Sequence, residues 1–358
     1  MLVANKWMIP SDTNKPHDPR SKDIMSDGLT SNLISIMSDE VLPLPYEDPD
    51  SILDIIRSES VYLLTAGKLA FLRGDLKKAI QYYRQIHDIP SKLRSYPLLI
   101  VFAISSGDHN LFDEIESICK DMLQSNDNEV VRKLIEWVLS TAYIGGFALS
   151  FIPEWLKEGD FSYLPLELRP EAICKQLRYL HYIGRYELIL SISQTALNLI
   201  DTKRGIYYHT IYLQLMCAAA CCMLDRTKQA EEYILKAMEV CLPHGFITPF
   251  AELLPLYGGL VERILQRDYL EYFEAVTKLS EQIISNWVEF HNRMTKNSIT
   301  TILTRQEYQV ALLAVKKVPY KLIATQQGVS ISRIKGIINS IYTKLYINSR
   351  EELREYIL

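Results

Sequence analysis

The 358-residue chain reads as an all-α protein: a long run of paired helices followed by a small carboxy-terminal domain of four helices. Three observations predict this. Apolar residues recur at helical spacing through almost all of residues 51–294, and Gly-Asp or similar pairs interrupt them at intervals. Residues 303–358 hold three consecutive short segments of helical periodicity separated by turns, then a fourth amphipathic stretch. Between the two regions runs NRMTKNSITT, Asn292 to Thr301, polar and short.

Residues 1–50 mix Pro, Asp, Ser and Asn without sustained periodicity and predict a loosely attached arm. A short amphipathic piece from Leu33 to Leu42 is its one ordered candidate. Residues 51–294 are expected to form the helical-pair region, 295–301 the linker and 302–358 the carboxy-terminal domain.

The clearest pair is LLTAGKLAFLRGDLKKAIQYYRQI, Leu63 to Ile86. Gly67 is small, Gly74-Asp75 breaks the helix, and Ala79, Tyr83 and Ile86 resume the spacing. The unit resembles a tetratricopeptide repeat, two antiparallel helices with a small residue where they cross. Weaker echoes run from Ala103 to Ile118, Leu177 to Leu197 and Leu213 to Met238, at irregular intervals. Stacked pairs of this kind build a curved superhelix whose inner face can receive an effector, either a peptide, a small molecule or a protein. Tyrosines such as Tyr82, Tyr83, Tyr208 and Tyr212 can serve that surface or pack between helices.

The composition is that of an ordinary globular protein, 48% hydrophobic and 23% charged. No apolar run reaches the roughly 18–20 residues that span a bilayer, and the amino terminus lacks a signal-peptide core, so a cytoplasmic location without membrane contact is expected. Six cysteines lie on apolar helical patterns without a Cys-x-x-Cys pair. Cys217 and Cys221 share a helix face, but Ala218, Ala219, Ala220 and Met223 around them mark buried core rather than a metal or redox site. No phosphate loop, dinucleotide fingerprint, nucleophile elbow or His-Glu-x-x-His pair occurs. Neither catalysis nor a cofactor is expected.

In the carboxy-terminal region, Val310, Leu313 and Ala314, then Leu322, Ile323 and Ala324, then Ile334, Ile338, Ile341 and Leu345 give three short helices. Gly328 suits the left-handed end of one helix and Ser330 the cap of the next. On a helical wheel, Ser332, Arg333, Gly336, Asn339, Ser340 and Thr343 lie opposite the apolar stripe, a small polar face that fits a major groove.

This segment resembles the LuxR-type (GerE-like) helix-turn-helix family of bacterial regulators from Leu303 to Arg350. The family's motif falls on Leu303-Thr304, Glu307, Val310, Lys321, Ile323-Ala324, Val329-Ser330, Ile334-Lys335, Ile341-Tyr342, Lys344-Leu345 and Ser349-Arg350. The resemblance implies double-stranded DNA as partner. Lys335 and Asn339 would then meet bases or phosphates, with Lys321 and Lys344 near the backbone. The wheel adds Ser332, Arg333 and Gly336. It also implies a homodimer contact on the last helix through Leu353, Tyr356 and Ile357, residues that otherwise close the domain's own core. The chain departs from the family at Lys317, where glycine is usual, at Tyr320-Lys321-Leu322, and at Arg333 and Ile337. Ile337 either widens the buried face or meets a thymine methyl.

Leu242 to Phe250, LPHGFITPF, is similar to the passage from repeats to DNA-binding module in large maltose-activator-type regulators, whose ATPase domain has no counterpart here. From Thr300 onward there are nine Lys or Arg against four Glu, a net +5, whereas the whole chain carries −4. A basic module on an acidic body suits attraction to phosphates. Two functions follow: a transcription regulator whose repeat region senses an effector, or an adaptor whose helix-turn-helix has become a protein-docking domain.

Overall fold

Helices α1 (Glu59–Leu72) and α2 (Leu76–Tyr83) form the pair that the sequence marks most clearly. Ser58 caps α1 by accepting from the Val61 amide, and Asp75 caps α2 by accepting from the Lys78 amide. Gly74 between them holds φ +80°, a conformation that glycine alone adopts without penalty. At Gly67 the helices cross so closely that a Cβ would run into the Tyr83 ring. The computed structural model describes residues 43–125, 127–200, 202–284, 286–295, 303–345 and 347–357, and among them every regular element is a helix.

Three further pairs repeat the device. Helices α3 (Ile89–Ser106) and α4 (His109–Ser125) turn at Gly107. After α5 (Glu129–Gly145) and the short α6 (Glu154–Glu158), α7 (Arg169–Tyr182) and α8 (Tyr186–Leu199) turn at Gly184. Then α9 (Tyr208–Met223) and α10 (Thr227–Cys241) turn at Asp225, itself at φ +61°. Helix α9 is apolar on nearly all sides and is accordingly central: from Ile211 to Met223 only Gln214 keeps partial exposure. Burial pushes the thiols of Cys217 and Cys222 up to about 12 and that of Cys221 up to about 11, which makes them inert core groups.

The paired rhythm stops at Leu242. Gly245 turns the chain, and α11 (Thr248–Leu253), α12 (Leu260–Asp268), α13 (Leu270–Ile284) and α14 (Trp287–Thr295) follow. Phe246 and Phe250 need apolar cover and are fully buried. The later helices find cover on the first ones: α11 packs on α1 and α13 on α3. The Thr248 hydroxyl donates to the Phe71 carbonyl, Asn286 Nδ2 donates to the Ser105 carbonyl at 3.0 Å, and His109 stacks on Phe290 at 4.4 Å. The later helices thereby pack back on the first ones, and a partly open cavity lies among the helices.

Part of the stretch read as an arm is packed on the body. Residues 43–50 are held: Leu44 is buried and exchanges two backbone hydrogen bonds with Ile206, and Asp50 pairs with Arg73. Apolar Leu44 and the capped turn at Pro49–Asp54 supply the cause. Residues 1–42, with the Leu33–Leu42 piece, lie outside the described residues. So does the linker read at 295–301, apart from Thr295, which ends α14.

Candidate nucleic-acid interface

The carboxy-terminal unit comprises α15 (Arg305–Val315), α16 (Tyr320–Gln326), α17 (Ile331–Leu345) and α18 (Arg350–Ile357). It begins at a reciprocal cap. Thr304 Oγ1 accepts from the Glu307 amide at 3.2 Å, while the Glu307 carboxylate accepts from the Thr304 amide at 2.8 Å. The Thr-x-x-Glu spacing is visible in sequence, yet its second role is not. Glu307 also accepts from Ser340 Oγ at 2.8 Å and from Lys344 Nζ at 2.7 Å, so one buried carboxylate ties α15 to α17. Burial opposes its charge, but these donors outweigh burial and hold its pKa below the ordinary value.

Glu307→Gln should therefore destabilise the unit by about 1–2 kcal/mol, read from chemical unfolding. A group with depressed folded pKa contributes fully above its unfolded value and loses that contribution as the pH falls. The difference between wild type and variant is thus expected to be complete above pH 4.5, the ordinary glutamate value, and to shrink below it. A difference that persists unchanged into acid would assign the loss to something other than this charge.

Lys317 stands where the resembled motif has glycine. It holds φ +59° after α15, the left-handed position where glycine is unstrained. Lys317→Gly is expected to stabilise the unit by about 0.5–1 kcal/mol, seen as a higher melting temperature. Next along the chain, Gly328 at φ +62° ends α16, and Ser330 Oγ caps α17 by accepting from the Arg333 amide at 3.1 Å. Arg350 donates to the Ala314 and Val318 carbonyls and so closes the end of α15.

Helix α17 divides by face. Ile334, Ile337, Ile338, Ile341 and Leu345 are buried; Ile337 thus widens the apolar stripe and is withdrawn from any thymine methyl. Ser332, Arg333, Lys335, Gly336 and Asn339 are all exposed, as is Thr343. Nothing lies within 4 Å of a Cβ placed on Gly336. Ser340, read with this face, instead turns to Glu307. Lys344 stands at the rim and is paired with Glu307, while Lys321 on α16 is paired with Asp225 in the turn between α9 and α10.

The proposed dimer residues separate likewise. Leu353 is fully buried and Ile357 is buried in the chain's own core, where α18 packs on α15. Tyr356 alone remains exposed, at 45%. Helical periodicity cannot distinguish the apolar strip that seals a small domain from one that meets a second copy.

The unit sits directly on the body. Helix α16 packs on α9, and Lys316 on the α15–α16 turn donates to the Tyr182 carbonyl, where burial lowers its pKa to about 8. Gly258, at φ +56°, faces Thr325 so closely that a Cβ would overlap the Thr325 carbonyl, and Gly328 meets the Gly258 carbonyl from the other side. At this seam the His181 ring nitrogens and Gln326 Oε1 are buried without a hydrogen-bond partner among the described residues. Burial drives His181 down to about 3. Comparison with known protein families, with curated proteins and with solved structures finds no match to this chain.

Proposed function

We propose that this chain is a DNA-binding regulator in which α15–α18 act as a LuxR-like helix-turn-helix and the tetratricopeptide-like body governs how that unit is presented. The observation that carries the reading is the exposed face of α17, where Arg333 and Lys335 flank small or amide side chains and no acidic residue occupies the first turn. Cations attract phosphates, and small neighbours let a helix approach base edges. Regulation is supported by the seam: unpaired buried polar atoms each weaken docking by about 1–3 kcal/mol, which lowers the cost of releasing the unit.

Selection of bound fragments from a genomic DNA library with the intact chain tests the proposal. Enrichment of a common sequence, with affinity falling steeply as salt rises, is the expected result. A second reading, a protein-docking adaptor, is favoured by the Lys321–Asp225 pair, which engages one candidate phosphate-binding side chain within the chain. Absence of any footprint at low salt would select the adaptor.

A further inference from the structure

We propose that the partly open cavity in the body is a binding site for a small organic carboxylate with a short apolar or aromatic tail. The cavity lies among α1, α3, α5, α7, α9 and α11 and measures about 110 Å³. That is room for about four waters at ~30 Å³ each, enough for a carboxylate head, and its open side leaves space for a short tail; it is too little for a folded partner or a long peptide.

Its wall carries four cationic side chains, Lys68, Arg94, Lys175 and Arg178, against two carboxylates, Glu171 and Glu252. Glu171 is already matched. Arg94 donates two hydrogen bonds to it, at 2.9 and 3.2 Å, with Lys68 at 3.8 Å. Burial disfavours its charge, but Arg94 and Lys68 bring its carboxyl down to about 2. Burial pushes the Glu252 carboxyl up, against the nearby Arg178 charge and the Tyr212 hydroxyl that donates to it.

The remaining cations make their hydrogen bonds to neutral groups. Lys175 lies 4.1 Å from the Trp137 ring centroid and donates to Thr141 Oγ1 at 2.7 Å and to the Trp137 carbonyl. Burial holds its ammonium well below the ordinary lysine range. Arg178 has a buried Nε with no hydrogen-bond partner among the described residues. Glu171 lies near Lys175 and Glu252 near Arg178, yet four cations face two carboxylates across the cavity, an imbalance that a bound anion relieves, and a guanidinium matches a carboxylate with two parallel bonds. Leu64, Pro97, Leu98, Val101 and Ile144 supply an apolar wall that favours a tail over a strongly hydrated inorganic ion.

Arg178 and Glu252 also line a second cavity of about 70 Å³ that reaches Tyr182 and Gln309 of α15. Drawing Arg178 toward a bound carboxylate alters the wall on which the carboxy-terminal unit rests. Only this coupling rests on the DNA-binding reading; the binding itself does not.

The test is calorimetric titration of the full chain, without DNA, with octanoate and phenylacetate, set against octanol and inorganic phosphate. For ligands of about ten non-hydrogen atoms, saturable binding with Kd of about 1 mM or tighter is expected. Octanol and phosphate should bind at least about tenfold more weakly, since each lacks half of the recognised chemistry. Lys175→Met and Arg178→Gln, checked for folding by circular dichroism, should each weaken carboxylate binding by about tenfold or more. Equal binding of octanol overturns the charge argument, equal binding of phosphate overturns the tail, and no carboxylate binding overturns the site. The comparison among ligands uses the wild-type chain, so it decides the matter even if a variant does not fold.

Discussion

Gly258→Ala is expected to force the carboxy-terminal unit off the body, because the new methyl would occupy the position of the Thr325 carbonyl. Backbone and backbone meet there, so no side chain can swing aside to make room. The substitution also strains a left-handed residue by about 1–2 kcal/mol, and Gly259→Ala controls for that. Gly259 holds φ +82°, but its Cβ would meet only the flexible end of Arg263, at 3.3 Å. The control should lose stability and stay docked. In Gly258→Ala, hydrogen exchange should accelerate in α9 and α16, and the radius of gyration in small-angle scattering should rise. If the two variants behave alike, the close approach at Gly258 does not hold the seam.

The same pair of variants reports on regulation. If the carboxy-terminal unit binds DNA as proposed, a body that restrains it predicts tighter operator binding in Gly258→Ala than in Gly259→Ala. The gain is bounded by the docking free energy, about tenfold for each 1.4 kcal/mol. Unchanged DNA affinity in an undocked protein would separate docking from DNA recognition.

Lys335→Ala should reduce operator affinity by about 1–3 kcal/mol, on the order of 5- to 150-fold. Lys335 is exposed on α17 and no acidic side chain forms an ion pair with it among the described residues, so its charge is available to DNA. Lys344→Ala is the instructive comparison, since that ammonium is already held by Glu307 at 2.7 Å; a smaller loss in affinity and a larger loss in stability are expected. Salt dependence then tells what the Lys335 ammonium meets. If it neutralises a phosphate, the variant's salt slope falls by about one ion and sequence preference stays intact; if it reads a base, preference relaxes at one position. Wild-type affinity in Lys335→Ala would sink the proposed interface.

Much of the local architecture was legible because its causes act within a few residues. The Gly74-Asp75 turn, the small Gly67 at the helix crossing and the Ser330 cap each depend on short-range backbone geometry. The buried cysteines follow from an unbroken apolar neighbourhood. Glu307 was half legible: the capping spacing is local, but Ser340 and Lys344 reach it from 33 and 37 residues away. Ile337 and Leu353 show the same boundary. Both fit an apolar helical stripe, and periodicity alone does not say whether such a stripe meets its own core, DNA or a second copy.

The sequence by itself determined that the chain is all-α, where its clearest pairs turn, and which side of α17 is polar, because spacing, capping and left-handed turns are encoded by near neighbours. Only the tertiary structure decided that α11 packs back on α1 and α13 on α3. It alone decided that Lys175 and Arg178 face the cavity, that Lys321 meets Asp225, and that Gly258 abuts Thr325. Burial and charge pairing are set by segments far apart in the chain, and no local pattern carries that distance.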